Sequence, residues 1–307
     1  MRAVITGATG AIGTALVKEL IANGDKVLVL LRRGSARKDR IPEHSLVEAA
    51  ECSLNEYEGY MPAGDEKYDV FYHLAWAGTT GPYRNDWYLQ NLNVKYALDA
   101  AGLASRLGCG RFIGIGSQAE YGRADGILRP DTPVHPENGY GIAKLAAGLM
   151  TREYSHQLNM LHNWVRVLSI YGPGDGDQSL IMTAVNRFRD NAYAEFTKGE
   201  QMWDYLSSTD AASALRLMGI SGIDGKTYVL GSGKTAKLRD YIEAIRSEIN
   251  PDAEAAYGAI PYSEKQVMHL QADITDLKDD LGWEPRISFR SGIREIINWM
   301  DSENKRE

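Results

Sequence analysis

Three glycines spaced three apart, Gly7, Gly10 and Gly13, sit between an apolar run and a helical pattern, and this placement leaves the chain few folds to choose from. Ala3 to Thr6 reads as a first strand. Ile12, Leu16, Val17, Leu20 and Ile21 then recur at helical spacing until Asn23-Gly24. Val27 to Leu31 is a continuous apolar run of the kind buried on both faces of a parallel sheet. Strand, glycine turn, helix and strand in this order make a right-handed βαβ unit. Within the turn the first glycine permits a tight bend, the second lets backbone approach a pyrophosphate, and the third lets helix pack close to strand. The amides at the helix start are then free to face phosphates. A plain tight turn is the bland alternative.

The same rhythm continues. Strands are predicted at Ser45–Ala50, Val70–Leu74, Phe112–Gly116 and Trp164–Ser169, with helices around Asp86–Leu107 and Tyr140–Leu158. This is an α/β pattern, a doubly wound parallel Rossmann sheet. After Tyr171-Gly172-Pro173-Gly174-Asp175 the rhythm becomes less regular, which predicts a smaller C-terminal α+β cap on the substrate side. The expected division is residues 1–172 for the dinucleotide-binding domain and 173–307 mainly for the cap, with some segments returning to the first. A chain of 307 residues with 44% hydrophobic content can bury cores for both.

Net charge of -7 argues against nucleic acid or an anionic membrane as the main partner. Met1 to Ile5 reads as a strand, and no signal peptide or membrane span is expected. Cys52 and Cys109 lie too far apart to suggest a metal or redox pair, so a reducing cytoplasm is the expected location. The histidines, His44, His73, His135, His156, His162 and His269, show no ligand spacing, and no metal is expected.

Tyr140 and Lys144 are four apart and would project from one helix face. An ammonium within ~4 Å of a phenol is worth roughly 4 kcal/mol at an effective dielectric of about 20, enough to make the phenol acidic near neutral pH. Tyr140 could then pass a proton, while Ser117 holds a carbonyl or alcohol oxygen. A half-exposed helix pair is the plain alternative. Ser117 lies outside any Gly-x-Ser-x-Gly pattern, which argues against a hydrolase. The residue closing the second strand selects the cofactor; here Leu31 is followed by Arg32 and Arg33, with Ser35 nearby. Two guanidiniums suit an extra phosphate, so NADP(H) is favoured and NAD(H) stays open, against the alternative of a solvated basic turn.

These residues, with His73-Leu74-Ala75, Asn93-Val94, Gly116-Ser117-Gln118-Ala119-Glu120-Tyr121-Gly122, Tyr171-Gly172-Pro173, Trp203-Asp204-Tyr205, Asp210 and Leu281-Gly282-Trp283-Glu284-Pro285, resemble the extended short-chain dehydrogenase/reductase family. The resemblance spans nearly the whole chain and falls in the nucleotide-sugar epimerase/dehydratase branch. It implies catalytic roles for Ser117, Tyr140 and Lys144. It implies cofactor contacts from Gly7, Thr9, Gly10, Ala11, Ile12, Gly13, Arg32, Arg33, Ser53, Leu54, Leu74, Ala75, Ala77, Tyr140 and Lys144. Substrate contacts are implied for Thr79, Ser117, Gln118, Tyr140, Ser169 and Trp203.

Departures from the pattern narrow the activity. Ser53-Leu54 stands where the family has Asp-Leu beside adenine. Gln118-Ala119 stands where sugar dehydratases carry an acid and a base, and neither residue exchanges a proton at neutral pH. What remains is NADPH-dependent reduction of a nucleotide-linked 4-keto-6-deoxy sugar, closest to CDP-abequose-synthase-like reductases, or NAD-dependent epimerisation through a transient keto sugar. Trp203 and Ser169 replace the arginine and asparagine that the family uses toward the substrate. A non-enzymatic NAD(P)-binding sensor is the alternative of another class, and the family's habit implies a homodimer through the helices near 86–107 and 140–158.

Overall fold

The computed structural model describes residues 1–61, 66–124 and 126–303. Its centre is a seven-stranded sheet, parallel throughout. The first five strands are β1 Arg2–Thr6, β2 Lys26–Leu31, β3 Val47–Glu51, β4 Val70–His73 and β5 Arg111–Ser117. The order across the sheet is Thr227–Leu230, Leu161–Val167, β5, β4, β1, β2, β3. The chain therefore reverses its direction of travel between β1 and β4, and the crevice at their carboxyl ends is where such sheets bind ligands.

Alternation along the strands divides the core. Ala3 and Ile5, Val27 and Val29, Val70 and Tyr72, and Ile113 and Ile115 face one cluster. Val4, Leu28, Leu30, Phe71 and Phe112 face another. On the first face lie α1 Ala11–Ala22 and, later in the chain, α5 Ser208–Ser221, which pack Leu16, Val17 and Leu20 with Ala211, Leu215 and Met218. Ala100, Ala101, Leu103 and Ala104 of α2 Trp87–Arg106 cover the second face. α3 Gly139–Gln157 meets α2 and the sheet through Ala97, Ala143, Ala147 and Trp164. The three alanines let the two helices lie close.

A separate apolar cluster joins Tyr171, Phe188, Phe196 and Ile245. It is built from α4 Leu180–Arg189, α6 Leu238–Ile249, α8 Phe289–Glu303 and the paired short strands Ala194–Phe196 and Ala255–Tyr257. α7 Thr275–Leu281 lies on the sheet side, its Leu277 in the first core.

The predicted strands and helices fall on observed elements within a few residues, with two differences. The run from Trp164 to Ser169 is two strands, Leu161–Val167 in the main sheet and Ser169–Tyr171 paired with Tyr205–Ser207. The seventh strand, Thr227–Leu230, was not predicted, because a four-residue run amid irregular sequence carries little pattern. Among the described residues no helix is long and apolar enough to cross a membrane.

Candidate active site

The carboxyl ends of β1, β4 and β5 converge. At the end of β1 the chain turns at Gly7, with φ +73°, directly against Leu74 and Ala75, where a β-carbon would come within 2.6 Å of the Ala75 amide nitrogen. A β-carbon on Gly13 would lie 2.3 Å from the Gly7 carbonyl oxygen. Both positions therefore require glycine. Gly10 differs: its β-carbon would meet only that carbonyl, at 3.7 Å. Gly10 is also the N-cap of α1, and neither a capping side chain nor an acidic residue satisfies the amides of its first turn. These open donors, with room above Gly10, fit a pyrophosphate, so the residues present fit a dinucleotide.

The remaining predicted cofactor residues line the same edge. Ala77 exchanges two hydrogen bonds of 2.9 Å with the buried amide of Asn93, which fixes the segment after β4. Ser53 accepts from the Arg33 amide at 3.2 Å. Its own amide donates to Glu56 at 2.7 Å, and Arg33 pairs with Glu56 at 3.2 Å. Arg32 is exposed. The charge at this rim is thus mixed, which the paired arginines of the sequence did not disclose.

Ser117 ends β5, and Tyr140 stands in the first turn of α3, whose N-cap Asn138 accepts from the Gly141 amide at 2.8 Å. The structure brings Ser117 and Tyr140 close to one another. Lys144, one turn on and 3% exposed, donates to the Ile115 carbonyl at 2.6 Å. Its ammonium lies 3.7 Å from the centre of the Trp76 ring and 5.8 Å from that of Tyr140.

This corrects the expected electrostatics. Burial raises the Tyr140 phenol above its ordinary value, opposed by the Ser117 hydrogen bond and the Arg84 charge; Lys144 is not among the causes. Burial also lowers Lys144 itself to about 7, with Glu120 acting against the fall. The lysine points back toward the strand and the indole, its ammonium 5.8 Å from the centre of the phenol ring.

Four residues outside the predicted set shape the site. Glu120, fully buried, accepts from the Ser117 amide at 2.8 Å, Trp164 Nε1 at 3.0 Å and Arg166 Nε at 2.7 Å, so it pins the end of β5. Trp76 packs edge-on to Tyr140, with its indole N–H held by Gln90 at 2.9 Å. Arg84 lies over the Tyr140 ring at 4.3 Å. Arg40 donates to the carbonyls of Thr9 at 3.2 Å and Gly174 at 2.9 Å, strapping the glycine loop to the segment after Tyr171. A cavity of about 990 Å³ lies beside this strap, lined by Thr14, Lys18, Arg40 and Trp299 and by none of the three predicted catalytic residues.

Toward the substrate side, Thr79 is exposed and its carbonyl accepts from Arg84 at 3.2 Å. Gln118 is half-buried beside Ser117. Trp203 and Ser169 are joined, the indole N–H donating to the serine hydroxyl at 2.8 Å. Trp203 packs at the margin of Tyr121, Leu128 and Leu168.

A glycine turn at the reversal point of a parallel sheet, with Ser117, Tyr140 and Lys144 buried beside it, is the arrangement a dinucleotide-dependent enzyme would use. The NAD dependent epimerase/dehydratase family matches residues 3–231, and the chain belongs to it, as an enzyme of the extended short-chain dehydrogenase/reductase type. It is 26% identical over 306 residues to UDP-glucuronic acid decarboxylase 2 of Arabidopsis thaliana, covering 95% of this chain and 66% of that one. The chain thus spans about two thirds of the length of that plant relative. It is 27% identical over 272 residues to dTDP-6-deoxy-L-talose 4-dehydrogenase (NAD(+)) of Aggregatibacter actinomycetemcomitans, covering 85% of this chain and 95% of that one. Its fold is similar to that of UDP-glucose 4-epimerase from Thermotoga maritima solved with UDP-glucose, with TM-score 0.86, 21% identity, and 99% and 100% of the two chains covered.

Proposed function

We propose that the chain reduces the ketone of a nucleotide-linked 4-keto-6-deoxy sugar at the expense of NADPH. The observation that carries this reading is the approach of Tyr140 to Ser117 at the end of β5, beside a glycine loop that suits a pyrophosphate. Gly7, Gly10, Ile12, Leu74, Ala75 and Lys144 would hold the dinucleotide, with Arg32 and Arg33 toward its adenosine ribose. When bound, the nicotinamide supplies hydride equivalents. Ser117 hydrogen-bonds the substrate oxygen, and Tyr140 gives that oxygen its proton. Lys144, buried beside the pair and lowered to about 7, carries its positive charge below that pH. Gln118 and Ala119 offer no acid and base for dehydration, and a relative acts as a sugar 4-dehydrogenase.

The second reading is epimerisation with retained NAD. One observation favours it: the Glu56 carboxylate sits against Arg33 and Ser53, and an anion at that rim disfavours an extra phosphate. The experiment is to assay the purified chain with a nucleotide-linked 4-keto-6-deoxyhexose and NADPH or NADH, and to release and identify any nucleotide it carries. Consumption of NADPH supports the reductase. Co-purified NAD with no net consumption supports the epimerase.

The reading extends to assembly and setting. Residues 173–307 would supply most of the substrate side. α2 exposes Trp87 (61%), Tyr88 (86%) and Leu92, while α3 exposes Ile142, Leu149 and Met150. Two such helices presenting apolar side chains suit a second copy, making a homodimer that size measurement in solution tests. A cytoplasmic setting accords with two buried free thiols.

A further inference from the structure

We propose that Arg84 is a positioning residue for Tyr140, laying a guanidinium against the face of the phenol and thereby setting how readily that phenol gives and takes its proton. This rests on the reading of Tyr140 as the proton-transfer group. The guanidinium carbon is 4.3 Å from the ring centre, and Nη1 is anchored on the Thr79 carbonyl at 3.2 Å. Charge on an ionised phenol spreads into its ring, so a planar cation over the face stabilises the ionised form.

The segment bearing Arg84 is fixed from several directions. Gln90, buried, donates to the carbonyls of Gly78 and Tyr83, both at 2.9 Å. Asn85 accepts from the Gly139 amide at 3.3 Å, tying the segment to the start of α3 next to Tyr140. The residues facing Tyr140 are then few. Glu120 approaches from the turn after β5 and opposes ionisation, and the Ser117 side chain, near the hydroxyl, favours it. Trp76 brings only an uncharged edge. Lys144, on the same helix, is committed to the Ile115 carbonyl and the Trp76 ring. Arg84 forms no ion pair with a carboxylate among the described residues, so its charge is available to the phenol.

The test compares wild type, Arg84→Gln and Arg84→Lys, with Tyr140→Phe as control, using NADPH and a nucleotide-linked 4-keto-6-deoxyhexose. The pH profile of kcat and the value of KM are measured for each. For Arg84→Gln the limb of the profile that reports Tyr140 moves to higher pH, so that alcohol oxidation on its rising limb is roughly tenfold slower at a given pH, and Arg84→Lys restores most of both. In the direction of alcohol oxidation the rate rises through that limb; in carbonyl reduction it falls. The shift is upward in both. A second readout needs no substrate: the ring-carbon resonance of labelled Tyr140, identified by its loss in Tyr140→Phe, titrates at higher pH in Arg84→Gln. An unmoved limb and unmoved resonance overturn the proposal, as does a raised KM with an unchanged limb, which would make Arg84 a substrate contact. If Tyr140→Phe is inactive while Arg84→Gln matches wild type, only the role of Arg84 fails. If Tyr140→Phe keeps full turnover, the reading of the site fails and this inference with it.

Discussion

Glu120 shows how much of the site depends on a residue that never reaches the crevice. Its carboxylate is removed from water and held by three donors, one of them the Arg166 guanidinium. Removing one partner of such a pair leaves the other charge buried and uncompensated, which costs far more than a surface ion pair. Glu120→Ala is therefore expected to destabilise the chain by about 3 kcal/mol or more, measured by denaturant unfolding. A loss within the range of exposed pairs would show that Ser117 is positioned by other means. No spacing rule pointed to Glu120, Trp76 or Arg84. They arrive from separate segments, and only the folded sheet brings them beside Tyr140, whereas Tyr140 and Lys144 were legible because one helix turn relates them.

At the scale of elements, the glycine loop was the most legible part. Its three glycines differ in what they protect, and this separates structure from binding. Gly13→Ala places a methyl 2.3 Å from the Gly7 carbonyl and should both destabilise the loop and abolish dinucleotide binding. Gly10→Ala meets only an ordinary contact at 3.7 Å, so it should leave the thermal midpoint within a few degrees of wild type. It should still weaken NADPH binding roughly tenfold or more, because the methyl fills the space a pyrophosphate needs; titration calorimetry checks this. Equal behaviour of the two variants would remove the case for a cradle at Gly10. The strand Thr227–Leu230 was illegible for the opposite reason: its identity comes from pairing with Leu161–Val167, not from any local pattern.

For the molecule as a whole, the buried lysine makes stability depend on pH. Lys144 is lowered from 10.5 to about 7 by burial, so between those values the unfolded chain binds the proton that the folded chain has released. Stability must then rise with pH across that window, the penalty of burying an ammonium being present below about 7. Lys144→Met should flatten this component of the rise, seen as the difference between the unfolding free energies of variant and wild type from neutral to alkaline pH. Parallel curves would contradict the burial of that charge. The sheet covered on both faces was readable from continuous apolar runs such as Val27 to Leu31, but the mixed charge at the Arg33–Glu56 rim and the turn of Lys144 toward Trp76 were not, since each depends on side-chain direction across segments.

The central claim is that Tyr140 transfers the proton at a dinucleotide site. Its most direct test is turnover and NADPH binding by Tyr140→Phe, measured side by side with wild type. The account predicts that kcat falls by about a hundredfold or more while the dissociation constant for NADPH changes little. Wild-type turnover in that variant would contradict it.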